Sequence, residues 1–301
     1  KNAYAAFRDL SGGSAWRWVG LFTIIVPLIV LSYYSVIGGW SIDYMFKSFA
    51  FSFTGSESQS ALNTMFSDFV SSTWAPLIVQ TVFLLATTLI VVVGIKDGIE
   101  KFSKIMMPLL FFIVISIAIY SLTLPGAQKG VEYLFNPDFS KITGRSCAAA
   151  LGQAFFSLSL GMGVLITYAS YFPKDTRLIK TSFSVSTSVI FVAFMMGMII
   201  FPAVTSFGLQ DHALNGPTLV FATLPQVFEQ LPYSQLWSAL FFLFLTVAAI
   251  TSTISIAEVS IAFMQDRFKM SRLKMFLDFS FHSLFFFHII SFLPCPIRRS
   301  D

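Results

Sequence analysis

The residues best placed to do chemistry sit in two short polar interruptions of long apolar runs. One reads FFSLSLGMG over residues 155–163, where Ser157 and Ser159 are followed at once by Gly161 and Gly163. The other reads AAITSTISIAEVS over 248–260 and brings Thr251, Ser252, Ser255 and Glu258 into a stretch built otherwise of Ala, Ile and Val. Hydroxyls and backbone carbonyls are the ligands a hard cation such as sodium takes. A helix interrupted by serine and glycine can unwind. Inside a membrane its freed amides and carbonyls are tolerated only beside protein or a water-filled cavity, where they can hold an ion or a charged substrate group. Plainer readings stay open: glycines let helices approach, and serines bond back to the carbonyl one turn earlier. Thr251, Ser255 and Glu258 recur at helical spacing as one polar stripe, which a dry helix interface would also use. Glu258 is a site candidate by default as an intramembrane acid, while Tyr33 and Tyr34 are weaker ones, since a membrane tyrosine commonly just anchors its hydroxyl.

Enzyme chemistry has no foothold. The chain carries no GxSxG, HExxH, P-loop or paired Cys/His motif, and His212, His282 and His288 are not spaced one helical turn apart. Cys147 and Cys295 offer at most one bridge and no metal-ligand spacing.

The elements that must position these residues follow from composition. Of 301 residues, 55% are hydrophobic, 17% aromatic and only 11% charged, against roughly a quarter charged in soluble domains. So few charges cannot cover the surface of a soluble domain of this length, and the apolar surface must face lipid. The net charge of +4 is dispersed among loops, which argues against a nucleic-acid partner. A bilayer core needs about 20 apolar residues as helix. Six runs meet that length: Trp18 to Trp40, Ala75 to Ile95, Ile105 to Leu124, Ala148 to Tyr171, Val185 to Phe207, and Leu236 to about Met264. Trp16, Trp18, Trp40, Trp74 and Trp237 stand at run ends, where an indole can bury its ring and wet its N–H. The expected fold is all-α and transmembrane.

Lysine and arginine counts orient it. Residues 1–17, 96–104, 172–181 and 265–274 together hold 13, whereas the three intervening connections hold four, which places the N-terminus in the cytoplasm by the positive-inside rule. Lys1 does not begin a signal peptide. The outer connections Ser41 to Trp74 and Gly208 to Gln235 are long enough to carry helices of their own, and Pro217 to Leu231 is expected as a membrane-surface helix. From about residue 273 the character changes to a Phe/Ser/His-rich tail with Asp278 in mid-run. A seventh span over 275–294 is doubtful, because it would put Arg298 and Arg299 outside, and such low complexity is what a reading-frame shift produces.

The stretches NAYAAFRDLSGGSAWRWVG, VPLIVLSYYSVIGGW, VVVGIKDGIEKFSKIMMPLLF, the segment from FNPDFSKITGRSC to ITYASY, MIIFPAVTSFGL, LVFATLPQVFEQLPYSQLWSALFFL and AAITSTISIAEVSIAFMQDRFKMSR together resemble the neurotransmitter:sodium symporter family, specifically its bacterial amino-acid transporters. The resemblance runs from residue 2 to about 272. It implies part of an inverted-repeat fold with a broken helix at its site, residues 1–272 supplying a partial transmembrane domain equivalent to the third to eighth of twelve helices. It further implies a bacterial inner-membrane location and a small neutral amino acid as substrate. Sodium ions are the implied co-substrate. Tyr34 takes the place of the tyrosine that holds the substrate carboxylate, with Val30 one turn before it. Phe156 is similar to the aromatic lid. Ser157 matches a ligand of the first sodium site, and Ser159 and Gly161 match the unwound strand beside the substrate. Met162 stands where many members have a ring, which leaves side-chain preference open. Ala248, Thr251 and Ser252 match the second sodium site, and Ile256 lines the side-chain pocket with Ser252. Tyr171 and Asp266 match members of an inner gate whose arginine partner precedes Lys1. In the fifth span Ser186 and Ser188 stand where relatives place an amide or acid, and with Gln153 and Ser157 this makes chloride a further candidate ion. Because the family's first helix supplies ligands to both sodium ions, the 301 residues alone are expected not to transport. The competing reading is a non-transporting remnant that associates with other membrane helices.

Overall fold

An apolar chain in lipid must satisfy its own backbone, and helices do so within one segment. The structure, a computed structural model, describes residues 2–12, 14–50, 59–72, 74–93, 95–136, 138–173, 175–207, 217, 219–229, 233–269 and 271, 274, 275, 277, 278 and 280. Side chains at 59–63, 91–93, 95–103, 105, 106 and 207 are not among them. Most of the doubtful seventh span lies outside the described residues, as do His212, His282, His288 and Cys295.

Eleven α-helices are described: α1 (Ala3–Leu10), α2 (Arg17–Phe49), α3 (Gln59–Ser71), α4 (Trp74–Val93), α5 (Ile95–Ser121), α6 (Ala127–Phe135), α7 (Gly144–Ser157), α8 (Val164–Ala169), α9 (Leu178–Phe207), α10 (Leu224–Glu229) and α11 (Ser234–Phe268). The expected first, second, fifth and sixth spans are α2, α4, α9 and α11, and the third lies within α5. The fourth is split between α7 and α8. Among the described residues α2, α9 and α11 are each long and apolar enough to cross a membrane unaided, and α3 and α4 meet at a bend of 80°. Pro27, Pro108 and Pro202 lie inside α2, α5 and α9, which membrane helices tolerate because neighbours satisfy the freed carbonyls.

The α2–α11 pair is the backbone of the packing. The Ser48 and Ser238 hydroxyls meet at 2.8 Å, and the Thr246 hydroxyl donates to Ser41 Oγ at 2.9 Å. Partners descend on one helix as they ascend on the other, so the two run antiparallel. Against α2, α4 approaches backbone to backbone at Gly39, and the fully buried Gln80 donates through Nε2 to Ser35 Oγ at 2.8 Å. On the other side α5 and α6 dock on α9: Ser121 Oγ donates to the Ile199 carbonyl at 2.8 Å, and Gly130 lies against the Phe201–Pro202 peptide.

The outer end of the core is aromatic. Tyr44, Phe221, Phe228, Phe241 and Phe242 are all buried and pack with Ile113, Ile117 and Ile199. Two expectations change here. Within 217–231 the described residues 219–229 do form helix, a π turn at Leu219–Thr223 followed by α10, but Phe221 to Phe228 are buried, because LVFATLPQVF, polar only at Thr223 and Gln226, is taken into the core rather than laid on the membrane surface. Trp16, Trp18 and Trp74 are exposed as interfacial residues should be, whereas Trp40 packs edge-on against Phe66, Phe69 and Phe221 with its Nε1 buried and unpartnered. The ring is held by the cluster that 217–231 completes.

Candidate functional site

The fourth span opens on a capping box, the Thr143 hydroxyl accepting from the Ser146 amide at 3.2 Å and the Ser146 hydroxyl from the Thr143 amide at 3.1 Å. From there α7 runs regularly to Ser157 and stops. Three alternate residues then take left-handed backbone, Ser159 at φ 54°, Gly161 at 79° and Gly163 at 69°, before helix resumes at Val164. Glycine adopts that conformation freely, but Ser159 pays about 1 to 2 kcal/mol for it. Such strain persists only where the surroundings impose it, commonly at a site. The break expected from FFSLSLGMG is therefore present; the Ser159 and Leu160 amides close the end of α7 on the Phe156 and Phe155 carbonyls at 3.1 and 2.8 Å, and the regular helical ladder stops there.

Met162, buried in the break, belongs to a cluster with Ile24, Val164 and Val259, against which the half-buried Val30 packs. Val30 also packs against the neighbouring cluster of Leu31, Ile254, Ile256 and Ala257, so it stands between the two clusters. One turn along α2, Tyr34 packs on the same cluster and on Phe83 and Ala249. Ser32, Ser35, Ser41 and Ser48 along α2 each donate to a carbonyl of their own helix. The Tyr34 hydroxyl makes no hydrogen bond among the described residues and is available to a ligand.

The polar stripe of α11 divides into two functions. Ser255 accepts from the Tyr168 hydroxyl at 2.7 Å, and Glu258, 6% exposed, accepts from the Tyr171 hydroxyl at 2.9 Å. These two links, three residues apart on each side, rivet α8 and the residues that follow it to α11. Tyr168 was not singled out by the sequence. Its signal is the match of its spacing from Tyr171 to that of Ser255 from Glu258. The remaining group is Ala248, Thr251 and Ser252, all half-buried, in which the Thr251 hydroxyl donates to the Ala248 carbonyl at 2.9 Å and the Ser252 hydroxyl makes no bond among the described residues. One carbonyl and two hydroxyls within a helical turn are a donor set suited to a hard monovalent cation.

Other candidates are not drawn into this group. Phe156 is 47% exposed. Ser157 and Gln153 do come together, Nε2 donating to Oγ at 3.1 Å, but on an exposed face of α7. Ser188 turns its hydroxyl to the Ser184 carbonyl of its own helix at 2.9 Å, so it does not join Gln153 and Ser157 by a hydrogen bond. Tyr171 and Asp266 likewise have separate partners, Asp266 accepting from Asn2 Nδ2 at 2.8 Å while Asn2 Oδ1 caps α1 at the Ala5 amide. The inner-gate pair expected from the sequence is thus two contacts, one holding α8 and one holding α1.

The chain is similar to known proteins in sequence and in fold. An uncharacterised sodium-dependent transporter of Bacillus subtilis, YhdH, is 41% identical over 261 residues, which is 87% of this chain and 57% of the relative. Another, MJ1319 of Methanocaldococcus jannaschii, is 34% identical over 291 residues, covering 92% of this chain and 59% of its own length. The chain thus spans a little over half the length of these relatives. The crystal structure of MhsT in complex with L-phenylalanine superposes with a TM-score of 0.90 at 36% identity, over 100% of this chain and 68% of that one. These relatives are sodium-dependent transporters and not enzymes. The sequence profile that matches residues 62–294 is that of the sodium:neurotransmitter symporter family, and the chain belongs to that family of integral membrane proteins.

Proposed function

We propose that the protein carrying this chain is a sodium-coupled symporter of small neutral amino acids that works by alternating access in a bacterial plasma membrane with its N-terminus inside. The observation that carries the reading is the break itself: left-handed backbone at Ser159, Gly161 and Gly163 in mid-span, with Met162 buried in one cluster with Ile24, Val164 and Val259. A symporter needs no covalent chemistry, only a place where desolvated charge is met by fixed dipoles. Tyr34, whose hydroxyl has no hydrogen-bond partner among the described residues, holds the substrate carboxylate. Ser159 and Gly161 lend backbone groups beside it, and Val30, Met162, Ser252 and Ile256 line the side-chain pocket, with Phe156 above. The bound L-phenylalanine of MhsT supports an amino-acid substrate. Sodium takes the Ala248 carbonyl and the Thr251 and Ser252 hydroxyls as one set of ligands and the Ser157 hydroxyl in a second. The proposal places chloride beside Gln153 and Ser157, where Ser188 joins only by turning away from Ser184. Tyr171 and Asp266 serve the inner gate through Glu258 and Asn2.

The test is equilibrium binding of radiolabelled phenylalanine and leucine to the full-length protein across sodium concentrations. Ser252→Ala should raise the sodium concentration for half-maximal binding by about tenfold, the worth of one ligand bond of roughly 1.4 kcal/mol. Tyr34→Phe should weaken amino-acid binding at every sodium concentration. If both variants bind as the parent does, these residues form packing contacts and the assignment is wrong.

A further inference from the structure

We propose that Thr23, Pro27 and Gly163 form a socket that fixes where the fourth span breaks, which makes them positioning residues for the site; the functional half of this inference rests on the reading given above. Pro27 lies buried inside α2 and has no N–H to donate. The Thr23 carbonyl, one turn earlier, is therefore left without its helical partner. The Thr23 hydroxyl does not turn toward that gap but donates to the Gly20 carbonyl at 2.8 Å. What stands against the freed carbonyl is Gly163. A Cβ placed there would lie 2.8 Å from Thr23 O, 3.3 Å from Thr23 Cβ and 3.2 Å from Val259 Cγ1. Only a glycine lets its Cα–H approach a carbonyl this closely, a contact type known between packed helices.

Two demands for glycine coincide at this position, since Gly163 also has φ 69°. Gly161 separates them. Its φ is 79°, yet nothing lies within 4 Å of an added Cβ, so it needs glycine for conformation alone. The socket has consequences for the site because Gly163 follows Met162 and caps α8. It pins one end of α8 to α2 while Tyr168 and Tyr171 rivet the other end to α11. Met162 is thereby held in the cluster of Ile24, Val164 and Val259, against which Val30 packs. A second glycine meets a second helical proline differently, Gly130 of α6 lying against the Phe201–Pro202 peptide of α9 and not against the carbonyl one turn before the proline.

Hydrogen exchange of the 301-residue chain in lipid nanodiscs tests the socket without reference to transport. Gly163→Ala should speed exchange across 158–171 by about tenfold more than Gly161→Ala does, because both variants share the backbone strain and only the first meets the collision. Amides of α4 and α9 should keep their rates. Pro27→Ala, which gives the Thr23 carbonyl a helical donor again, should speed exchange over the same residues. Combined with Gly163→Ala it should give less than the product of the two effects, as coupled neighbours do. Equal effects of the two glycine variants, acceleration spread over every helix, or independent effects of Pro27 and Gly163 would each overturn the socket. In the full-length protein, Gly163→Ala should change the ratio of phenylalanine to alanine affinity severalfold, whereas general damage lowers both alike. Absence of amino-acid binding by the parent protein would refute the proposed function and leave the exchange result standing. Unchanged exchange in Gly163→Ala would refute the socket whatever the parent binds.

Discussion

Gly39→Ala offers the sharpest test of how α2 and α4 hold the Tyr34 region. A Cβ at Gly39 would stand 2.7 Å from Gln80 N and 2.9 Å from Gln80 Cα and Val79 C. These are backbone atoms with no rotamer to escape into, and the nearest is about 0.7 Å inside the 3.4 Å at which ordinary contact begins. The helices must part. The same movement acts on Gln80, which is fully buried, donates to Ser35 at 2.8 Å and has no partner for Oε1 among the described residues. Stretching that bond by roughly half an ångström takes it to about 3.3 Å, past the usual N–H···O range, and leaves the amide only weakly paired. Overpacking costs about 1 to 3 kcal/mol. A stranded buried amide adds about 1 to 3 kcal/mol, although interhelical bonds in membranes average nearer 0.6 kcal/mol. Taking the lower half of each range, Gly39→Ala should destabilise by about 2 to 4 kcal/mol. Reversible unfolding in bicelles measures it. Gln80→Leu alone should be close to neutral, because it removes an amide that is only half satisfied, and in that background Gly39→Ala should cost about 1 kcal/mol less. A Gly39→Ala variant within about 0.5 kcal/mol of the parent would refute the close approach of α2 to α4.

The two rivets should differ in strength. Tyr171→Phe removes a hydrogen bond to a buried carboxylate and should cost about 1.5 to 2 kcal/mol, Tyr168→Phe a neutral bond and about 1 kcal/mol; unfolding in bicelles that finds them equal would mean the Glu258 link is not charge-assisted. Phe221→Ala should destabilise by about 3 to 5 kcal/mol, and a loss below 1 kcal/mol by the same measurement would return 217–231 to the membrane surface.

Much of the architecture is legible in the residues because lipid imposes a length. Runs such as Trp18 to Trp40 and Val185 to Phe207 have to be helices, and serine beside paired glycines marks the one that breaks. Burial is less legible. LVFATLPQVF reads equally as an interfacial or a core helix, and only the aromatic ring cluster around Tyr44 and Phe242 decides it. The same limit hides Trp40, whose position at a run end suits an interface until Phe66 and Phe221 close over it. For the site, hydroxyls in an apolar run announce themselves, as Thr251, Ser252 and Ser255 do. Tyr168 does not, since a tyrosine in a membrane run has many uses and its role exists only once α8 lies against α11. Pro27 and Gly163 are each ordinary punctuation until the fold places one against the other.

The hydroxyls of α11 show how one helix can be locked to its neighbour along only part of its length. Toward α2 it presents Ser238, Thr246, Thr253 and Ser260, at spacings of eight, seven and seven, all buried. On α2 the matching seven-residue series descends from Ser48 to Ser41, and then, in place of further serines, to Tyr34 and Pro27. The bonds follow that change. Ser238 and Thr246 are paired across the interface, while the Thr253 and Ser260 hydroxyls have no partner among the described residues. Each unpaired buried hydroxyl costs about 1 to 3 kcal/mol, so the seam is locked at its outer end and weaker alongside the break. The gradient falls where Tyr34 leaves the serine ladder, which is what frees its hydroxyl. Under the proposed function this follows, since a residue that serves a ligand cannot also serve the seam, and α11 carries the deficit at Thr253, next in the chain to Thr251 and Ser252.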